Sequence, residues 1–490
     1  MSLGNLLSIA SGALQAHQRA IGTIGHNVAN AQTPGYSRQQ VQLTAASPQT
    51  LGHLLQIGRG VDVNGINRVR DAFYDTSWRQ EAGAGARYNA MRQALEQVSG
   101  VLGEPSDVGI TAALDALIDS FQTLASNPAD PTARAVVVAN ATVLADRFRS
   151  IDTRLDGISQ NIVAELRQTT SEANGMLAEV DALNSQIRKL GGNAPDLLDR
   201  RDVLLDRLSQ NFDIRVVGRD AGTVDVLLGG IQLVSSGGGV QPLSIGGTGP
   251  YQLQLGNPPA AIAPKSGSLK GLLDAAETIG VRGTSVARAT GLRGQLDDLA
   301  LGIVSAVNGI HASYDPTINP LQPTLTPAPT PLRAIGPFFN PTGVTASSIG
   351  LDPSIQADPT LIAAGWSTAP GDNSIALRLG ELRYLAVPIP GTTTANGNSP
   401  AVAAGPAAAL ADYYTGVVAA LGVVTQDAGN RAVAQSVLVG NITAQRQSVS
   451  GVNIDEEMVA LIQHQQAYAA AARLVQAADE MLRELINLGR

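Results

Sequence analysis

The residues best suited to moving protons or holding a metal are five histidines, His17, His26, His53, His311 and His464, and adjacent acid pairs such as Asp297–Asp298 and Glu456–Glu457. Imidazole can act as general base or metal ligand, and paired carboxylates as an acid–base couple. Neither group has the spacing that such work requires. No histidine has a second histidine one helical turn away, and adjacent helix residues diverge in direction, so both acid pairs read as solvated faces. HExxH, GxxxxGKS/T, GxSxG and GxGxxG motifs are all absent. Cysteine is absent too, which removes thiol catalysis, disulfides and thiolate metal sites. No catalytic, cofactor-binding or metal-binding residue is expected, and no enzymatic role.

Composition narrows the remaining classes. The chain has 490 residues, enough for several domains, and only 15% of them are charged and 3% aromatic, which fits a helical scaffold better than a ligand pocket. A net charge of -8 without basic clusters argues against nucleic acid as a partner. No apolar run approaches the roughly 18 residues that would span a bilayer, and the start of the chain lacks the basic-then-apolar pattern of a secretory signal, so membrane insertion is not expected. Charge is unevenly placed: the first acid is Asp62, whereas Asp455, Glu456, Glu457, Asp479, Glu480 and Glu484 crowd the last segment. The two ends are therefore complementary in charge.

The elements that must carry any function are long helices. Leu7, Leu14, Ile21 and Val28 recur at sevenfold spacing, with Leu3, Ala10, His17, Ile24 and Ala31 on an adjoining seam, which predicts one helix over the first thirty residues. It ends at Thr33-Pro34-Gly35, where proline disfavours helix in the residue before it and glycine supplies a turn. The last forty residues repeat the design. Ile454, Leu461, Tyr468, Val475 and Leu482 form one predicted seam, and Met458, Gln465, Ala472, Asp479 and Ile486 lie beside it. Asn453 is the expected N-cap and Gly489 the exit.

A third helical pattern opens at Asp130-Pro131, with Phe148, Leu155, Ile162, Met176, Leu183 and Leu190 at heptad spacing, a polar break at Thr169, and a possible interruption at Gly157 or Gly175. Unbroken, it would reach about 90 Å at 1.5 Å per residue. Leu197 to Leu208 fit a shorter packing helix. From Asp213 to Ala263 short beta-favouring runs alternate with Gly-rich turns, predicting a small inserted beta domain. Helix returns over Leu269–Glu277 and Gly291–Asn308, gives way to a proline-rich loop from Pro316 to Pro331, and resumes from about Ala407 after a Gly/Pro/Thr/Asn stretch at Pro388–Ser399.

Two segments carry a family resemblance. Asn30-Ala31-Gln32-Thr33-Pro34-Gly35-Tyr36-Ser37-Arg38, closing a helix, resembles the N-terminal signature of flagellar rod, hook and hook-associated axial proteins. Ser450-Gly451-Val452-Asn453-Ile454-Asp455-Glu456-Glu457, followed by Gln465-Gln466-Ala467-Tyr468, is similar to the closing segment of the FlgK family. Within the axial group, Leu197-Leu198-Asp199-Arg200-Arg201-Asp202 and the run from Gly60-Val61 into Asp71-Ala72-Phe73 also look like that family.

The resemblance implies a mainly α, elongated, multi-domain subunit with an inserted small β domain. Residues 1–50 with 440–490 would form a terminal axial core whose two helices pair as a coiled coil. Residues 51–212 with 264–439 would form a bundle of long helices, and 213–263 an outer β domain. The implied role is a hook–filament junction adaptor, with neighbouring copies, the hook protein and the second hook-associated junction protein as partners. The family's manner of export implies passage through the flagellar type III apparatus to the extracellular flagellum. Before export, a cytosolic chaperone would hold the last helix at Met458, Leu461, Ile462, Tyr468, Val475, Leu482 and Ile486. Assembly would use Leu3, Leu7, Leu14, Ile21, Ile24 and Val28 against Ile454, Leu461, Tyr468, Val475 and Leu482, with Asn30, Thr33, Pro34, Gly35, Tyr36 and Arg38 as the family motif. The alternatives are another axial subunit (hook, rod or second junction protein), or a secreted adhesin or enzyme acting through the β insertion.

Overall fold

A computed structural model describes residues 3–51, 55–104, 106–247, 250–280, 290–313, 336–367, 369, 371–387, 389 and 408–488. The chain runs α1 (Leu3–Asn30), β1 (Gln39–Ala45), β2 (Gln49–Leu51), β3 (Leu55–Ile57), β4 (Val61–Arg68), α2 (Ala72–Leu102), α3 (Ile110–Ser126), α4 (Pro131–Lys189), α5 (Pro195–Asn211), β5 (Ile214–Gly218), β6 (Val224–Leu228) and β7 (Ile231–Val234). It continues through β8 (Leu243–Gly246), β9 (Gln252–Leu255), β10 (Ala260–Ile262), α6 (Ser268–Ile279), α7 (Gly291–Ser313), α8 (Pro353–Ala357), α9 (Ser374–Gly380), α10 (Leu410–Ser450) and α11 (Ile454–Leu488). The proline-rich loop, most of the stretch expected at Pro388–Ser399, and His53 lie outside the described residues.

The chain divides into two compact units. The first comprises residues 1–85, 172–242 and 434–490, and the second residues 86–171 and 243–433. In the first unit α1 lies along α11, and the antiparallel β1–β4 ribbon packs on α1. Beyond this ribbon β2 pairs with β3. The C-terminal part of α4 buries Ala173, Leu177, Val180 and Ile187. It docks on the antiparallel sheet β5-β6-β7 through Asn184, whose amide donates to the Val224 carbonyl at 2.8 Å and accepts from the Val224 N–H at 3.2 Å.

The second unit is built around aromatic rings. Phe121 and Phe338 meet edge to face at 5.5 Å, Phe338 and Phe339 at 4.9 Å, and Phe148 is fully buried. Asn308 on α7 fixes the Phe338–Phe339 backbone, its amide donating to the Phe339 carbonyl at 2.8 Å and its oxygen accepting both N–H groups. Arg293 is buried and paired with Asp152 at 3.1 Å and Asp156 at 2.9 Å. Gly271 on α6 is required by close approach, since a Cβ there would sit 2.0 Å from the Arg87 carbonyl oxygen.

Several expectations need correction. α4 runs through Gly157 and Gly175 without a break. Its heptad seam holds at Phe148, Leu155 and Ile162, then steps four residues to Leu166 and resumes at Ala173, Val180 and Ile187, with Leu183 buried as expected and Leu190 exposed. Such a step compensates the drift of a 3.6-residue helix against a 3.5-residue repeat. Asp297 and Asp298 are fully buried rather than solvated, with Asp297 accepting from the Ala346 N–H at 2.7 Å. Glu457 is buried as well. The strands between 213 and 263 form two sheets, β5-β6-β7 in the first unit and β10-β9-β8 in the second.

Candidate assembly interface

The motif after α1 folds into a tight reversal. The Thr33 N–H donates to the Asn30 carbonyl at 2.9 Å, its hydroxyl donates to the Asn30 side chain at 3.1 Å, and the Tyr36 N–H donates to the Thr33 carbonyl at 3.1 Å. Gly35 has φ +81°, and a Cβ there would meet a Val203 methyl at 2.2 Å, so both conformation and space demand glycine. Pro34 and Thr33 stay exposed. The turn sends residues 37–39 back beside α1, where buried Asn27 makes four bonds. Its amide donates to the Gln39 carbonyl and to Glu457, both at 2.9 Å, and its oxygen accepts from the Gln39 N–H at 2.9 Å and the Tyr36 hydroxyl at 2.7 Å.

The start of α11 closes onto this turn. Asn453 caps the helix by accepting from the Asp455 N–H at 3.0 Å, and the acids of the first turn suit the positive helix end. Arg38 donates to Glu457 at 2.7 Å and to Glu456 at 3.1 Å, while its N–H donates to the Ser450 carbonyl at 2.9 Å. Ser37 donates its N–H and hydroxyl to Asp199, at 2.9 and 2.7 Å. Burial, reinforced by Asp196, Asp199 and Glu457, holds the Tyr36 phenol well above its ordinary range.

Behind the turn lies a network of arginines and aspartates. Arg68 reaches Asp199 and Asp202 at 2.7 and 2.8 Å, and Arg70 reaches Asp75 at 2.7 Å and Asp202 at 3.0 Å. Arg79 meets Asp206 at 2.7 Å, and Arg446 bridges Asp75 and Asp206, each at 2.7 Å, while stacking over Trp78. Burial works to raise the Asp202 carboxyl, but Arg70, Arg68, Arg79 and Arg201 outweigh it and hold it below the usual carboxylate range. Arg201, buried among these cations, is pushed down to about 10 by burial first, with the neighbouring guanidiniums adding to it.

Along the rest of the pair most fully buried positions are small. Ala10, Ala16, Ala20 and Ile24 are buried on α1, and Ala471 and Ala478 on α11, with His17 and His464 facing each other, Nδ1 to Nδ1, at 3.0 Å. On α1, Leu7, Leu14, Ile21 and Val28 are half-buried, and the Leu3 side chain lies outside the described residues. On α11, Leu461 and Val475 are half-buried, whereas Ile454, Met458, Ile462, Tyr468, Leu482 and Ile486 are exposed, Ile462 at 51% and Ile486 at 56%. The inward line of α11 is Glu457, His464, Ala471 and Ala478, one phase away from the seam read from the large apolar residues. Asn27, Asp199 and Glu457, which organise the turn, were missed by sequence reasoning. The only signal was the presence of Asp199 and Glu457 inside the two family-like segments. No group of three or more His, Asp or Glu is placed to hold a metal among the described residues. The arrangement ties α11 to α1 and the turn through a polar lock at one end and leaves large apolar side chains of α11 exposed.

Comparison with known proteins bears on what that face meets. The profile described as the flagellar hook-associated protein FlgK helical domain matches residues 95–314. Residues 7–36 match the flagella basal body rod protein profile, and 439–488 the flagellar basal body rod FlgEFG protein C-terminal profile. The chain is 30% identical to flagellar hook-associated protein 1 of Bacillus subtilis, over 98% of this chain and 97% of that one. It is 24% identical to the Salmonella typhimurium protein of the same name, over 99% and 100%. The solved structure of the flagellar hook junction protein FlgK from Burkholderia pseudomallei superposes with a TM-score of 0.58 at 19% identity, over 76% of this chain and all of that one, and so shares the fold.

Proposed function

The chain belongs to the FlgK family of flagellar hook-associated proteins and is a structural subunit of the flagellar axis, and from that premise we propose that it is the adaptor of the hook–filament junction. Its own copies, the hook protein and a second hook-associated protein are its neighbours, and it carries out no reaction. The observation that carries this reading is the uncovered face of α11. Ile454, Met458 and Ile462 near the start of α11, and Leu482 and Ile486 near its end, stay exposed although α11 is already paired with α1. Exposed large apolar side chains grouped at the two ends of a long helix are covered by partners or mark interaction surfaces.

Residues 1–50 and 440–490 then form the axial core, with α1 and α11 continuing as a coiled coil against neighbouring copies. The half-buried row Leu7, Leu14, Ile21 and Val28 supplies the matching face. The row Met458, Leu461, Ile462, Tyr468, Val475, Leu482 and Ile486 serves first a cytosolic chaperone and then the neighbouring subunits, after export by the flagellar type III apparatus to the extracellular junction. The helical interior forms the wall, and the strands between 213 and 263 its outer surface. Deleting the gene and inspecting cells by electron microscopy, while assaying the medium for filament protein, tests the junction role. Bare hooks with filament protein in the medium are expected; normal filaments or missing hooks would overturn it.

A further inference from the structure

We propose that the facing imidazoles of His17 and His464 form an acid-sensitive latch between α1 and α11, closed while at least one ring is neutral and released when both are protonated. The two rings come from positions 447 residues apart, with Nδ1 atoms 3.0 Å apart and ring centroids 5.3 Å apart. In the closed state one ring donates an Nδ1–H to the lone pair of the other, which requires at least one neutral imidazole. With both rings protonated, both nitrogens are donors and two like charges face each other at contact.

Among the described residues, the elements packed around the pair bring no free carboxylate to it. The only other charged residues of α1 are Arg19 and, when protonated, His26. α11 has no acid between Glu457 and Asp479, and its one charge in that span is Arg473. The β1–β4 ribbon contributes to a cavity of about 540 Å³ that His464 also lines, and the charged groups in that wall are Arg38, Arg68 and Glu457. Glu457 is already bonded to Arg38 and Asn27, and Arg68 to Asp199 and Asp202. Asp62, the acid of β4, is exposed and is not part of that wall. Consistent with this, burial and then His464 lower the affinity of His17 for a proton.

The sign follows. A base whose folded value is depressed favours the closed pair fully above the free value of about 6.5, and that preference is lost as pH falls from there through the folded value. One linked proton changes the opening equilibrium by about tenfold per pH unit. The latch rests on the α1–α11 pair alone and stands whether or not the junction reading does.

The absence of cysteine allows clean labelling of the full chain. Spin labels at Gln18→Cys and Gln466→Cys, both exposed positions, report the helix separation by pulsed electron paramagnetic resonance from pH 8 to 5 in chelated buffer. A single narrow distance at pH 8 is expected, giving way to longer distances below about pH 6.5, with helix content followed by circular dichroism. The His17→Gln/His464→Gln variant, which keeps polar groups without the charge, should stay closed to pH 5. A distance that does not change with pH, a broad distribution already at pH 8, or opening of the double variant with the wild-type profile would each overturn the latch.

Discussion

The second unit and the terminal helix pair are both helical and apolar, yet they place large side chains oppositely. In the second unit Phe121, Phe148, Phe338 and Phe339 turn inward and close a core within one chain. In the pair, alanines turn inward while Ile462, Met481 and Ile486 turn out. Dispersion and water exclusion scale with the area buried, so the first arrangement is self-sufficient and the second leaves much of its apolar potential unspent. If the exposed face serves the proposed function, stability and assembly are carried by different residues, and substitutions should separate them.

The largest loss is expected from Phe148→Ala, about 3–5 kcal/mol in chemical denaturation of the full chain, because a fully buried ring leaves a cavity. A loss near zero would mean that the aromatic core is not the stable half. Asn27→Ala strands the Gln39 N–H and removes a donor from buried Glu457. Each stranded group costs about 1–3 kcal/mol, and native hydrogen exchange should show that cost in the first unit with the second unaffected. Ala471→Leu overfills the small-residue seam at a cost of about 1–3 kcal/mol; tolerance without cost would show that α1 and α11 are not closely packed there.

Acid provides a graded test of the same divide. The Asp202 carboxylate is held below its ordinary value by Arg70, Arg68 and Arg79 against the opposing effect of burial. Its contribution is present above the unfolded value of about 3.9 and lost as pH falls through the folded value. Denaturation midpoints measured downward from pH 5 should therefore fall less for Asp202→Asn than for the wild type. The smallest stability effect belongs to Ile462→Asp, within about 0.5 kcal/mol because the side chain is exposed. Cells carrying only this variant should nevertheless fail to build stable junctions, scored by electron microscopy. Intact junctions would remove α11's outer face from the interface.

Much of this was legible in the sequence. The heptads of α1 and α11, the stop at Thr33-Pro34-Gly35, the cap at Asn453 and the long α4 follow from local pattern and propensity. The phase of α11 did not, because hydrophobic periodicity ranks leucine and isoleucine above alanine and cannot tell a face turned to its own chain from one turned to another. The burial of Asp297 and Asp298, the meeting of His17 with His464, and the split of the 213–263 strands between two sheets all depend on long-range packing. The acids Asp199 and Asp202 were visible only as part of a family-like string; their bonds to Ser37 and Arg68 required the fold.

The turn after α1 also constrains when it can form. Asn27 and Arg38 are among the early residues of the chain, but the carboxylate that satisfies both belongs to Glu457, and the Asn27–Glu457 bond closes a separation of 430 residues. A chain that emerges from its N-terminal side carries this lock half-built until Glu457 has appeared. Closing so large a loop is entropically late and slow. The turn after α1 is therefore completed only once Glu457 has been made.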